Sequence, residues 1–458
     1  MPERLSLRLQ SALYALRGGF LIRPFLIALV LGATGAILSF AEEFAPQLSA
    51  WIPEILFPAH QDPQVALTIL SGIATSIMTV VSIVFAILLM TLTLASTQFS
   101  PRILVSFVRD RSTQWTLGIF LGTFSYCMAA LPAVRSLPRP YVPVLTVLIA
   151  MLLALVSVAW LIFFINHISR SISVSHIVDR IAGETEQVIG ELMPHPRGSY
   201  EVQEHPVPSR EGRERAIAAR KSGYIRFVDV AFLVECAKSF GVQIKLERRV
   251  GQFVPVGAPL LRVVDAGRVT PERETQLLTA IDLGPARTMQ QDVELGIIQI
   301  VDIALRAISP AVNDPTTAIN CIDQLGRFMI VWASRTPPPT HFHSPPHILR
   351  VSLPRIGYEG LLDTAFEQIR HYAKSDIAVS LRLLLAFDNM VVVGAPQSEQ
   401  QSLVLRARHI VEGCKQYLPE NDVLPLRRRL ARLESRVAPK ANAESKVGAI
   451  QPKELPLG

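Results

Sequence analysis

The chain has 458 residues, half of them hydrophobic, with 45 Lys+Arg against 38 Asp+Glu for a net charge of +7. Its mean hydropathy is +0.34, high for a water-soluble protein. The length suggests two to four folded units, and the composition excludes a disulfide miniprotein, a collagen and a disordered chain.

The charge is unevenly spread. Of the charged side chains, five lie in residues 1–23, ten in residues 24–169 and the remaining 68 in residues 170–458, and no lysine precedes Lys221. This division predicts a four-helix transmembrane module over residues 1–169, fused to a region of ordinary soluble composition. Cys127, Cys236, Cys321 and Cys414 are far apart and form no CxxC pair. Reduced, packed thiols are therefore expected, with no zinc knuckle and no disulfide framework.

The hydrocarbon core of a bilayer, about 30 Å thick, needs about 20 residues of helix. Four runs are candidates: Pro24–Phe40, a stretch inside Val65–Thr97, Gln114–Val134 and Val142–Asn166. The first is short, but Phe20–Ile22 can extend it while Arg23 snorkels to the interface. Ser39-Phe40-Ala41 also fits a signal-cleavage pattern, although the charged 23-residue arm before it is long for a signal peptide.

The loops between the runs suggest an orientation. Ala41–Gln64 carries Glu42, Glu43, Glu54 and Asp62 with no basic residue. The N-terminal arm is rich in arginine, the next loop carries Arg102, Arg109 and Arg111, and Arg170 and Arg180 follow the fourth run. Arg135 and Arg139, between the third and fourth runs, run against the pattern. Positive-inside counting places the N-terminus and everything after residue 170 in the cytoplasm of a bacterial cell inner membrane.

The second run carries a polar stripe. Thr68, Ser71, Thr75, Thr79 and Ser82 recur at spacings of three and four, which puts them on one helix face with Gly72 and Ala86 nearby. Two readings fit: a hydroxyl-lined solute path, or a contact face where small residues and hydroxyls meet another helix. No ionisable residue lies mid-span, which argues against a proton-coupled carrier or ion pump. Gly118-x-x-x-Gly122 in the third run is a possible helix-contact face. Arg102, Arg109 and Arg111 suit lipid headgroups at the inner leaflet, or an anion-binding vestibule.

Beyond the spans, residues 170–200 read as a connector helix, ended by Pro194, Pro196 and Gly198. Residues 201–270 turn β-rich. Tyr224–Val228 and Val242–Leu246 alternate as strands do, with a short helix expected over Phe232–Phe240. Gly251-Gln-Phe-Val-Pro-Val-Gly257-Ala-Pro-Leu-Leu261 resembles half of a biotinyl/lipoyl-type barrel sandwich. No lysine sits in a cofactor-bearing hairpin, so no covalent cofactor is expected.

Residues 271–425 read as a helical domain. Glu294–Ser309 is apolar apart from a stripe of Gln299, Asp302 and Arg306, which marks a helix buried in a core or interface. In the turn that follows, Asn313 and Asp314 are candidates for a ligand contact or for a helix cap, with Pro315 at the first helical position. The histidines of His341-Phe-His343-Ser-Pro-Pro-His347 could hold a metal, but the prolines favour a solvated loop. Helices are expected over Tyr358–Tyr372, Val379–Val392 and Leu403–Tyr417, and residues 426–458 read as a basic, partly disordered tail.

The sequence carries no Walker, GxSxG, HExxH or dinucleotide motif, so no enzymatic activity and no cofactor or metal are expected. Expected partners are the lipid bilayer, further copies of the chain and a cytosolic protein. Nucleic acid is not expected, because the basic residues crowd the membrane face and the tail.

Four strings together resemble one bacterial family, the predicted membrane proteins known as domain of unknown function 2254. They are Ser96-Thr-Gln-Phe-Ser-Pro-Arg102, Leu117–Tyr126, Gln299–Thr316 and Phe366–Tyr372. The resemblance implies an integral membrane protein and carries no activity. The functional expectation is a homo-oligomeric channel or transport-like protein. The alternative is a membrane-anchored scaffold or sensor.

Overall fold

The structure, a computed structural model, describes residues 22–45, 62–98, 111–135, 141–171, 173–197 and 214–438. It divides into two compact units, Met1–Arg180 and Ile181–Gly458.

The first unit contains α1 (Ile22–Phe44), α2 (Pro63–Gln98), α3 (Arg111–Ala130) and α4 (Val144–Ser171). Each is long and apolar enough to cross a bilayer, in agreement with the four expected runs. The third helix is the central element. It packs against the other three and buries the largest share of its surface.

Glycines set how closely the helices approach. A Cβ on Gly118 would lie 2.5 Å from the Ile27 Cδ1, and one on Gly122 2.4 Å from the Leu31 Cδ1. Gly35 on α1 answers from the other side, where a Cβ would come within 2.8 Å of the Tyr126 carbonyl oxygen. The Gly118-x-x-x-Gly122 pattern is thus a contact face for α1, as small residues let helix backbones meet. Inward residues of α2 (Ala66, Leu70, Ala74, Ile77, Val81 and Val84) recur at spacings of three and four and fill two small apolar cores with α3 and α4. Phe25, Leu29 and Ile37 of α1 and Leu152, Leu155 and Ile162 of α4 stay exposed, a surface suited to lipid.

One expectation needs correction here. Glu42 and Glu43 belong to the last turn of α1 rather than to a loop. Glu42 is fully buried and accepts the Leu145 amide at 2.8 Å and the Thr146 amide at 3.2 Å. These are unpaired donors in the first turn of α4, so a carboxylate from another helix acts as the cap. Glu43 pairs with Arg135 at 3.1 Å.

Helix α5 (Val174–Leu192) follows, with the unit boundary inside it. In the second unit come β1 (Arg215–Ala218), β2 (Gly223–Val228), α6 (Val230–Phe240), β3 (Gln243–Leu246), β4 (Phe253–Val254) and β5 (Pro259–Val264). The strands expected from alternation are present. Gly251 and Gly257 take φ of +87° and +82°, so both turns need a residue without a Cβ.

The β-rich part reaches well past residue 270. It includes α7 (Pro271–Thr279), β6 (Ile281–Gly284) and the hairpin β7 (His341–Ser344) and β8 (Ile348–Ser352). One sheet has the order β1-β5-β3-β8-β7, the other β4-β2-β6. Both contribute to a single apolar core, with Ile225, Val254 and Leu283 from one and Ile244, Leu261 and Val351 from the other. The expected Pro-rich loop at His341–His347 is therefore a hairpin at the sheet edge. Phe342 packs on the core while His341 and His343 point away, the period-two pattern of a strand. Strand β8 runs parallel to β3, pairing Ile244 with Val351. No local signal announces a partner about a hundred residues away.

The helical part comprises α8 (Val293–Ala307) and α9 (Pro315–Ala333), then α10 (Tyr358–Leu362) and α11 (Gln368–Tyr372) joined by a π turn. It ends with α12 (Ile377–Val393), α13 (Gln397–Cys414) and α14 (Glu420–Val437). Helix α8 is buried along most of its length, as its apolar sequence requires. Gly296 lies against Thr185 of α5, where a Cβ would be 2.0 Å from the hydroxyl.

The expected tail needs a second correction. Residues up to Val437 form a packed helix, because Val423, Leu426 and Leu433 make a buried stripe among the arginines. Arg436 pairs with Asp388 at 3.3 Å and Arg408 with Glu434 at 2.7 Å. Residues 439–458 lie outside the described residues.

Candidate functional site

Among the described residues, two candidate places set polar groups in apolar surroundings and leave room for a partner. The first is the outer face of α2. Thr68, Ser71, Thr75, Thr79 and Ser82 are all exposed, on the side away from Leu70, Ile77 and Val84. Each hydroxyl donates to the carbonyl one turn earlier, at 2.7 Å for Thr68, 2.6 Å for Ser71, 2.8 Å for Thr75, 3.0 Å for Thr79 and 3.0 Å for Ser82. This satisfies the donor and leaves the oxygen lone pairs directed outward. Gly72, on the same face, has open space where a Cβ would be. Among the described residues, the hydroxyl row therefore takes no part in packing.

The second place is a cleft of about 80 Å³ in the second unit, at the start of α8. Asp292 is the helix cap, accepting the Leu295 amide at 3.2 Å. Its carboxylate also takes a two-point contact from Arg287, at 2.7 and 2.8 Å. Arg287 reaches on to Glu294 at 2.8 Å, and Arg249 grips Glu294 at 2.8 and 3.0 Å. Thr364 adds a hydroxyl at 3.3 Å. Gly251 lets this cluster form, because a Cβ there would lie 2.5 Å from Asp292 and 2.7 Å from Arg287.

The network sets the charge states. Burial would raise the Glu294 pKa, but hydrogen bonds from Arg249 and Arg287 hold it below the usual carboxylate range. Burial would lower the Arg287 pKa, and its bonds to Asp292 and Glu294 reverse that. Gln291 bridges both backbone groups of Val228, accepting at 3.0 Å and donating at 3.3 Å, which ties the end of β2 to the cleft. Arg355 also lines the cleft. Its Nε donates to the Pro339 carbonyl at 3.1 Å, and no carboxylate among the described residues pairs with it. Burial holds its pKa below the usual arginine value.

The family profile described as "Predicted membrane protein (DUF2254)" matches residues 17–389. The chain belongs to this family. Uncharacterised proteins of Mycobacterium tuberculosis and Mycobacterium bovis are each 32% identical over 384 residues, which covers 82% of this chain and 72% of theirs. No solved structure matches.

The remaining candidate residues of this DUF2254 protein fall in separate places. Asp314 caps α9, accepting the Thr317 amide at 3.1 Å and its hydroxyl at 2.6 Å. These bonds keep its pKa below the usual carboxylate value. Asn313 occupies the left-handed region at φ +50° and is exposed. Arg111 begins α3 and is exposed, while Arg102 and Arg109 lie outside the described residues. Among the described residues there is no group of three or more side chains placed to hold a metal ion.

Sequence reasoning missed the cluster of Arg249, Arg287, Asp292, Glu294 and Arg355. The only local signal was Asp292 at a cap position before an apolar helix, two residues ahead of an acidic side chain. Arg287 precedes Asp292 by five residues, but Arg249 comes from a glycine turn and Arg355 from a loop, both far away in sequence.

Proposed function

We propose that this protein forms a homo-oligomeric assembly in a bacterial inner membrane, with copies of α2 turning their hydroxyl faces toward a shared axis. The path so formed would carry small polar solutes or ions. One observation carries this reading: the five-hydroxyl row lies on the face of α2 that the described residues leave uncovered. Facing lipid, five oxygens would have no further partner. Facing water or another copy, they gain one.

The charge pattern supports an orientation with Ile181–Gly458 in the cytoplasm. Arg135 runs against that pattern, and its pairing with Glu43 weakens its weight as a topological signal. Copies of the chain and the bilayer are the partners this reading requires.

The test places single cysteines at Thr75 and Thr79 in the full chain, reconstituted in oriented vesicles. Leu155→Cys, on the exposed apolar face of α4, is the control. Modification at residues 75 and 79 by a water-borne thiol reagent, with disulfide-linked dimers on oxidation, is expected. If both stay as inert as the control, or the protein is monomeric, the pore reading is lost. A membrane-anchored scaffold or sensor then takes its place.

A further inference from the structure

Arg249, Arg355, Asp292 and Glu294 line the cleft at the start of α8, and Arg287, outside the lining, pairs with both carboxylates. Asp292 and Glu294 are fully engaged with Arg287 and Arg249. Arg355 is left over, half-buried, with one backbone contact from its Nε and no described partner for its two terminal nitrogens. Counting Arg287, the cluster sets three guanidinium groups against two carboxylates, a net charge of one positive unit. The terminal nitrogens of Arg355 still reach solvent, so their donors are free to take an anion, and at a half-buried position that contact is stronger than in open water.

We infer that this cleft binds a small organic monoanion, a carboxylate with a short apolar body, through the terminal nitrogens of Arg355. Three observations select that ligand. A guanidinium presents two parallel donors, which match the two oxygens of a carboxylate. The rest of the lining is mostly apolar, including Leu192, Val230, Val250, Trp332, Leu353 and Ile356. A fully hydrated inorganic ion would find few partners there. Asp292 and Glu294 also line the space, so a doubly charged phosphate meets repulsion that a single carboxylate largely avoids.

Size sets the last limit. One water position takes roughly 10–15 Å³ by this measure. A cleft of about 80 Å³ therefore suits a ligand of fewer than about ten heavy atoms. The unbalanced charge would orient it, with the carboxylate at Arg355 and the hydrocarbon toward Trp332 and Val230. The inference does not depend on the pore reading, since every lining residue belongs to Ile181–Gly458.

The experiment is calorimetric titration of the full chain in nanodiscs with butyrate, benzoate, butyramide and inorganic phosphate. Saturable binding of butyrate or benzoate at one site per chain is expected. Butyramide, equal in size but uncharged, should bind at least about tenfold more weakly, and phosphate should be weaker too. Arg355→Gln should weaken carboxylate binding by at least about tenfold, with Arg355→Lys in between. No saturable heat from either carboxylate overturns the proposal. So does equal binding of butyramide, tighter binding of phosphate, or unchanged affinity in a folded Arg355→Gln variant. If that variant does not fold, the comparison of butyrate with butyramide on the unaltered chain decides.

Discussion

The Glu42 carboxylate lies 3.0 Å from the Thr146 hydroxyl and 3.2 Å from the Thr146 amide, more than a hundred residues away in sequence. It joins the end of α1 to the start of α4 and satisfies donors that a helix start buried in protein would otherwise leave unpaired. Replacing Glu42 by Ala removes both acceptors. A loss of about 1–3 kcal/mol is expected. It should appear as a lower melting temperature in detergent, with Glu43→Ala, whose partner Arg135 is half exposed, as the milder control.

The contact between α1 and α3 predicts unequal effects from similar changes. A Cβ on Gly35 would meet the backbone oxygen of Tyr126 at 2.8 Å, and a carbonyl in a helix cannot step aside. On Gly118 it would meet the end of the Ile27 side chain, which can rotate. Gly35→Ala is thus expected to cost about 1–3 kcal/mol and Gly118→Ala clearly less. Comparing the two melting temperatures in one detergent tests this. Equal effects would mean that α1 and α3 do not meet as described.

Much of the first unit was legible because one physical requirement dominates it. A helix must be apolar for the thickness of a bilayer, and that demand is local in sequence. The hydroxyl row on α2 was visible for the same reason, since 3.6 residues per turn converts spacing into a face. Which way that face points was not visible. It depends on where Leu70, Ile77 and Val84 find α3 and α4. In the second unit the strands around Gly251 and Gly257 could be read from alternation and turns. The pairing of Ile244 with Val351, and of Arg249 with Glu294, could not, because nothing in the sequence around either partner names the other. Residues 426–437 misled through composition: many arginines hid a buried stripe of three apolar side chains.

The Glu294 cluster predicts a particular acid response. Its pKa is lowered by Arg249 and Arg287 in the folded state. A carboxyl group of this kind stabilises the fold above its unfolded pKa of about 4.3, and that contribution disappears as pH falls through the lower folded value. Stability of the second unit should therefore fall steeply below about pH 4.3. Glu294→Gln should lower stability at neutral pH, because it leaves two half-buried arginines short of charge, and should flatten the acid limb. Thermal melts of both proteins across pH 3 to pH 7 would check this, on the order of single pH-unit steps. A parallel downward shift with unchanged slope would show that Glu294 does not carry the acid response.

The cysteines predict a silent background for the labelling test at Thr75 and Thr79. All four are buried. Burial pushes the Cys321 thiol up to about 12 and raises Cys236 and Cys414 as well. The thiolate is the reactive form, so at neutral pH these groups are both shielded and almost wholly protonated. The unaltered folded protein should react with a water-borne maleimide at least about a hundredfold more slowly than after denaturation, where a free thiol has a pKa near 8.5. Mass spectrometry after timed labelling measures this. Rapid modification of Cys321 or Cys414 in the native protein would show that the helical core around α9, α12 and α13 opens readily.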